Sequence, residues 1–113
     1  MYTIVNEIDY ELRPGGTIKI VGEPHGSGAS FFHVKSRPGS GASLHTHPYP
    51  ETWVVLKGKV LFTVGGQSIE ATAGQVVIGD ANIPHKFVNI GTDLLEAICI
   101  HPSPIIIQED LEE

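Results

Sequence analysis

Gly39-Ser40-Gly41-Ala42-Ser43-Leu44-His45-Thr46-His47-Pro48-Tyr49-Pro50-Glu51-Thr52-Trp53-Val54-Val55-Leu56-Lys57-Gly58 is the stretch on which the reading of this chain turns. Its composition is β-branched and aromatic, with prolines and glycines only at the breaks, so it reads as extended strand rather than helix. In a strand, side chains two apart share a face, which puts His45 beside His47 with Cα atoms about 7 Å apart. Two imidazoles leaning together from that spacing can each reach one ion at about 2.1 Å. Glu51 adds a carboxylate oxygen from the next segment. Imidazole with carboxylate suits first-row divalent metals.

Outward from this segment, the whole chain has the character of one all-β domain. It has 113 residues and is 41% hydrophobic, enough for a single core and too much for a disordered chain. Thirteen glycines and eight prolines punctuate short apolar runs, and no window carries a helical stripe. The expected strands are 17–21, 30–37, 43–47, 52–56, 60–64, 67–71, 75–78, 85–89, 94–101 and 105–108, with residues 108–113 as a frayed tail or short helix. Gly65-Gly66 and Lys57-Gly58-Lys59 mark tight reversals. Many short strands with regular turn signals indicate an antiparallel sandwich or barrel.

Charge and cysteine content narrow the partners. A net charge of −6 and a pI near 5.4 argue against nucleic acid and against an anionic membrane surface. No apolar run approaches the roughly 20 residues needed to cross a bilayer. The segment 1–11 lacks the basic flank and apolar run of a signal peptide. The single cysteine, Cys99, excludes an internal disulfide. A cytoplasmic setting is expected.

The spacing of Gly39, His45, His47, Glu51 and Gly58 resembles the first motif of the cupin superfamily, G-x5-H-x-H-x3-E-x6-G, at every fixed position. Gly74, His85 and Asn89 match the second motif, G-x5-P-x-G-x2-H-x3-N, while Asp80 and Asn82 replace its Pro and Gly. Asn tolerates the left-handed region, so the turn before His85 is expected to survive. The resemblance covers residues 39–58 and 74–89 and is to small single-domain, quercetinase-like cupins. It implies a conical jelly-roll barrel over residues 1–113, with one Mn, Fe, Co, Ni or Zn ion held by His45, His47, Glu51 and His85. Four protein ligands leave two positions open on a six-coordinate ion.

Three functions follow as alternatives. A dioxygenase acting on a small oxygenated substrate, aromatic or not, is the first choice, by analogy within the family. A non-catalytic module that binds or senses a sugar or an anion is the second, and catalysis itself stays open because fold does not imply function. A sugar isomerase or epimerase is the third, with His33 or His101 as its base. Trp53 shares a face with Glu51, and Phe87 with His85, so both are candidates for the substrate pocket, as are His33 and His101. Plain core packing is the simpler role for Trp53 and Phe87. Tyr49, between two prolines, is placed at the rim, and Cys99 reads as a small core hydrophobe. A homodimer is expected, with the apolar segment 2–8 adding to a partner's sheet.

Overall fold

A computed structural model describes residues 1–112. Its strands are β1 (Glu11–Leu12), β2 (Ile18–Ile20), β3 (Ser30–Ser36), β4 (Gly41–Thr46), β5 (Glu51–Lys57), β6 (Lys59–Val64), β7 (Gln67–Thr72), β8 (Val76–Gly79), β9 (His85–Asn89), β10 (Leu95–His101) and β11 (Glu109–Asp110). They form two antiparallel sheets in the orders β1-β2-β3-β10-β5-β8 and β11-β4-β9-β6-β7. These are the two halves of a jelly-roll barrel, as the strand pattern predicts.

Alternation along the strands decides what faces inward. On β5, Glu51, Trp53 and Val55 are buried while Thr52, Val54 and Leu56 face out. On β10, Leu95, Ala97, Cys99 and His101 are buried. The core is built from Val34, Trp53, Val55, Val60, Phe62, Ala71, Leu95, Ala97 and Cys99. Each such side chain contributes about 1.5–3 kcal/mol of burial when large.

Turns behave as their residues dictate. Gly65 and Gly66 both have positive φ, 57° and 80°, the requirement of a two-residue hairpin loop joining β6 to β7. Asn82 takes the glycine-like conformation at φ 65°, and its N–H donates to the His47 carbonyl at 2.8 Å. The departure from the family's Pro and Gly is thus absorbed by asparagine. Asn89 is a structural clamp. Its amide donates to the carbonyls of Ser36 and Asp93, and its backbone pairs with Gly39 and Ser40.

Two strand expectations need correction. Residues 105–108 form no strand. They run as a strap in which the Ile107 carbonyl and N–H go to the His47 and Tyr49 side chains rather than to a neighbouring strand. The tail is neither frayed nor helical at Glu109–Asp110. It pairs with Thr46 and His45 of β4, and Leu111 N–H donates to the Leu44 carbonyl. Glu113, the end of the expected tail, lies outside the described residues.

Candidate metal centre

His45 and His47 reach the barrel interior by different local means. The β4–β9 register runs Ala42 opposite Phe87, then His45 opposite His85, so β4 carries one extra residue. This bulge re-aims His45 inward, on the same side as Ala42, and bulges commonly serve that purpose. His47 follows the strand's end and is 1% exposed. Glu51 opens β5 opposite Gly79, and His85 opens β9.

One ligating atom from each of His45, His47, Glu51 and His85 lies within 4.8 Å of the others, and all four residues are buried. The imidazole edges are set by the backbone. His45 Nδ1–H donates to the Ser43 carbonyl, His47 Nδ1–H to Ile107 at 2.7 Å, and His85 Nδ1–H to Ile83 at 3.0 Å. Each bond puts the neutral ring's proton on Nδ1 and leaves the Nε2 lone pair pointing inward.

Those lone pairs converge on a carboxylate. His47 Nε2 and His85 Nε2 each lie 3.1 Å from Glu51 Oε1. Electron-rich atoms crowded in a buried space require either an extra proton or a cation. His47 Nε2 has no hydrogen-bond partner despite burial. The donor set fits a divalent ion on both counts.

The ionisation of these groups follows from the same crowding. Burial pushes the Glu51 carboxyl up, but His101, His47 and His85 around it outweigh that and hold it far below the ordinary range. For His47, burial pulls down, yet Glu51 and the Ile107 carbonyl leave its pKa raised. His45 is lowered, chiefly by burial.

His101 completes the arrangement without joining the four. Its Nε2 lies 3.3 Å from Glu51 Oε2, and its Nδ1 lies 2.7 Å from the Tyr49 hydroxyl. Tyr49 is not a rim residue as expected. It is half-buried and stacks on His47 at 5.2 Å with an interplanar angle of 8°. The strap contributes too, because Ile107 N–H donates to the Tyr49 oxygen.

A cavity of about 530 Å³ reaches the donors and is lined by His45, Glu51, His101, Phe32, Phe87 and Lys19, among others. Phe87 therefore is a wall, as its register suggests, and His101 is at the site. Trp53 is not on the cavity. It is 1% exposed, stacks on Phe62 at 4.8 Å and meets His85 edge-on at 4.9 Å, so it backs the His85 ring from the core side. His33 is also outside. Its partners across the sheet are Ile98 and Ile18 on the outer face, and its Nε2 is 3.1 Å from Glu96. It cannot act as a base here. Cys99 lines the cavity, but burial pushes its thiol up, so it is no nucleophile. Among the lining positions that escaped the sequence reading are Arg13, Lys35, Phe32 and Lys19, the last of which the β2–β3 register places opposite Phe32 and 5.9 Å over its ring.

Fold and site together define a jelly-roll domain with a buried cluster of three histidines and one carboxylate that could hold a metal ion. The profile of the Cupin_2 family, cupin domain, matches residues 32–101. The chain belongs to the cupin family. It is 30% identical over 105 residues to "Polyketide synthase CurC" of Streptomyces cyaneus, covering 89% of this chain and 68% of that protein. It is 30% identical over 77 residues to "Oxalate-binding protein" of Thermotoga maritima, covering 67% and 64%. Among solved structures, the oxalate decarboxylase of Lactobacillus farciminis superposes with TM-score 0.77 at 24% identity, over 89% of this chain and 32% of that one. The Bacillus subtilis oxalate decarboxylase, described with Mn(II) centres, gives 0.77 at 23% identity, over 89% and 29%. The chain thus spans about a third of these enzymes, and the likeness is one of fold.

Proposed function

We propose that this chain is a metal-dependent dioxygenase acting on a small oxygenated molecule with a flat apolar body and an acidic group. One observation carries the reading: a cavity walled by Phe32 and Phe87 ends at the donor cluster and has Lys19 on its inner wall. An ion held by His45, His47, Glu51 and His85 would supply Lewis acidity and a template for two oxygen donors. The chain's own residues do the rest. Phe32 and Phe87 sandwich an aromatic or enolic body and exclude water from its faces. Lys19 forms no ion pair with any described carboxylate, which leaves it free to meet an anion. The likeness to a protein named "Polyketide synthase CurC" agrees with an oxygen-rich carbon skeleton.

A second reading, a non-catalytic module that binds a small anion, is favoured by Lys19 and by the relative named as oxalate-binding. Oxygen uptake separates the two. Protein loaded in turn with Mn, Fe, Co, Ni or Zn is offered catechols, flavonols and diketones, with and without a carboxylate. Consumption of one O2 per substrate supports the first reading, and Lys19→Ala should then raise KM for the acidic members. Saturable anion binding with no oxygen consumed supports the second.

The proposal includes a homodimer in a cytoplasmic setting, with which a single buried thiol agrees. No helix among the described residues is long and apolar enough to cross a membrane.

A further inference from the structure

We propose that the strap 105–108, which lies outside the cupin match at residues 32–101, completes the metal centre by holding back one oxygen of Glu51. The proposal rests on the reading of His45, His47, Glu51 and His85 as metal ligands and goes beyond it.

Ile107 presents both of its backbone polar groups to the site. Its carbonyl accepts from His47 Nδ1–H at 2.7 Å, and its N–H donates to the Tyr49 oxygen at 3.2 Å. That second bond takes an acceptor position on the Tyr49 hydroxyl, so the phenol's own proton is free to go to His101 Nδ1, 2.7 Å away. His101 then carries its proton on Nε2. That atom is buried, finds no aligned hydrogen-bond partner, and stands 3.3 Å from Glu51 Oε2. The opposite tautomer would set an imidazole lone pair against a buried carboxylate, which costs energy with nothing to offset it. The direction of the whole relay therefore runs from Ile107 through Tyr49 and His101 to Glu51.

The consequence is a division of the carboxylate. Oε2 faces His101, while Oε1 faces His47 and His85. Glu51 thus offers an ion one oxygen and not two. A carboxylate freed to bind through both oxygens would fill a further coordination position. His101 and Tyr49 are positioning residues in this scheme, and Tyr49 has the added task of stacking on His47.

Cobalt(II) titration of the full-length chain, followed by calorimetry and by its visible spectrum, tests the inference. Tyr49→Phe keeps the ring on His47 and removes the hydroxyl, and His101→Phe removes the proton facing Glu51. Each should weaken cobalt binding about 10- to 100-fold and alter the ligand-field bands, as expected for loss of a group that orients a ligand. The double variant should be no worse than His101→Phe alone, because both act through one oxygen. Ile107→Pro removes the N–H and keeps the carbonyl, and it should reproduce the Tyr49→Phe spectrum. If the folded Tyr49→Phe and His101→Phe proteins bind cobalt with unchanged affinity and bands, the inference is wrong. If their losses add independently, it is also wrong. His47→Ala is the control for the underlying reading. Wild-type protein that binds no cobalt, or His47→Ala that binds it unchanged, overturns the metal assignment and this inference with it.

Discussion

His47 concentrates the chemistry of the site in one ring. Its Nδ1 is committed to Ile107, its Nε2 faces Glu51, and its face is covered by Tyr49. Without an ion, the Glu51 partnership raises its folded pKa. A raised pKa contributes stability that is full below the unfolded value of about 6.5 and is lost as the pH rises through the folded value. An ion bound to the deprotonated donors replaces that contribution, and protons displace it on acidification. The gap in Tm between ion-loaded and chelator-treated protein should therefore be small at about pH 5.5 and wide at about pH 8. Differential scanning calorimetry across that range checks it, and a gap that shrinks with rising pH would contradict the assignment. Trp53 behaves differently. Sequence register puts it on the face of Glu51, correctly, but face alone does not say how deep a ring sits. Because Trp53 is core, stacked on Phe62, Trp53→Ala should cost about 3–5 kcal/mol in unfolding free energy. Denaturant titration measures this, and a loss below about 1 kcal/mol would place the ring outside the packed core.

Elements were legible to the extent that their residues alternate. The β5 pattern Glu51, Trp53, Val55 inward and Thr52, Val54, Leu56 outward can be read directly from the letters, as can β10. The same alternation could have shown His101 to be inward, since it shares a face with Cys99 and Ala97. The strap could not be read this way. Ile105-Ile106-Ile107 has strand-like composition, yet the N–H and carbonyl of Ile107 go to Tyr49 and His47, partners 58 and 60 residues away that no local pattern reveals. The β4 bulge was equally hidden, because an extra residue shows only against its partner strand. Close packing between elements sets one further expectation. Gly79 lies opposite Glu51 on β8, and a methyl group there would stand 2.6 Å from the Trp53 ring. The ring is wedged between Phe62 and His85 and has no room to yield. Gly79→Ala should destabilise by about 1–3 kcal/mol. The measurement is the midpoint of chemical unfolding, and an unchanged midpoint would show the ring to be freer than its packing implies.

At the scale of the molecule, the two faces of the six-stranded sheet differ in a way that bears on assembly. The outer face carries Ile18, Phe31, Val54, Ile98, Ile100 and Ile78, partly or fully open to solvent in the single chain. His33, Glu96 and Lys57 form a polar border at one end. Contiguous apolar surface of this kind marks an interface. A homodimer through this face is expected, in place of, or in addition to, pairing by segment 2–8, which forms no strand of its own. Sedimentation at tens of micromolar concentration should give twice 12.2 kDa. Ile98→Glu, central on the face, should yield a monomer that still binds the ion. A wild-type monomer would remove the expectation.

The strap also sets an order of events. The contact between Ile107 and His47 closes a loop of 60 residues, the kind of long-range closure that comes late because its entropy cost is met only when most of the barrel exists. Of the three imidazoles, those of His45 and His85 are aimed by their own neighbours Ser43 and Ile83, and only that of His47 waits for this closure. The donors of His45, His47, Glu51 and His85 are thus aimed together only in the closed barrel.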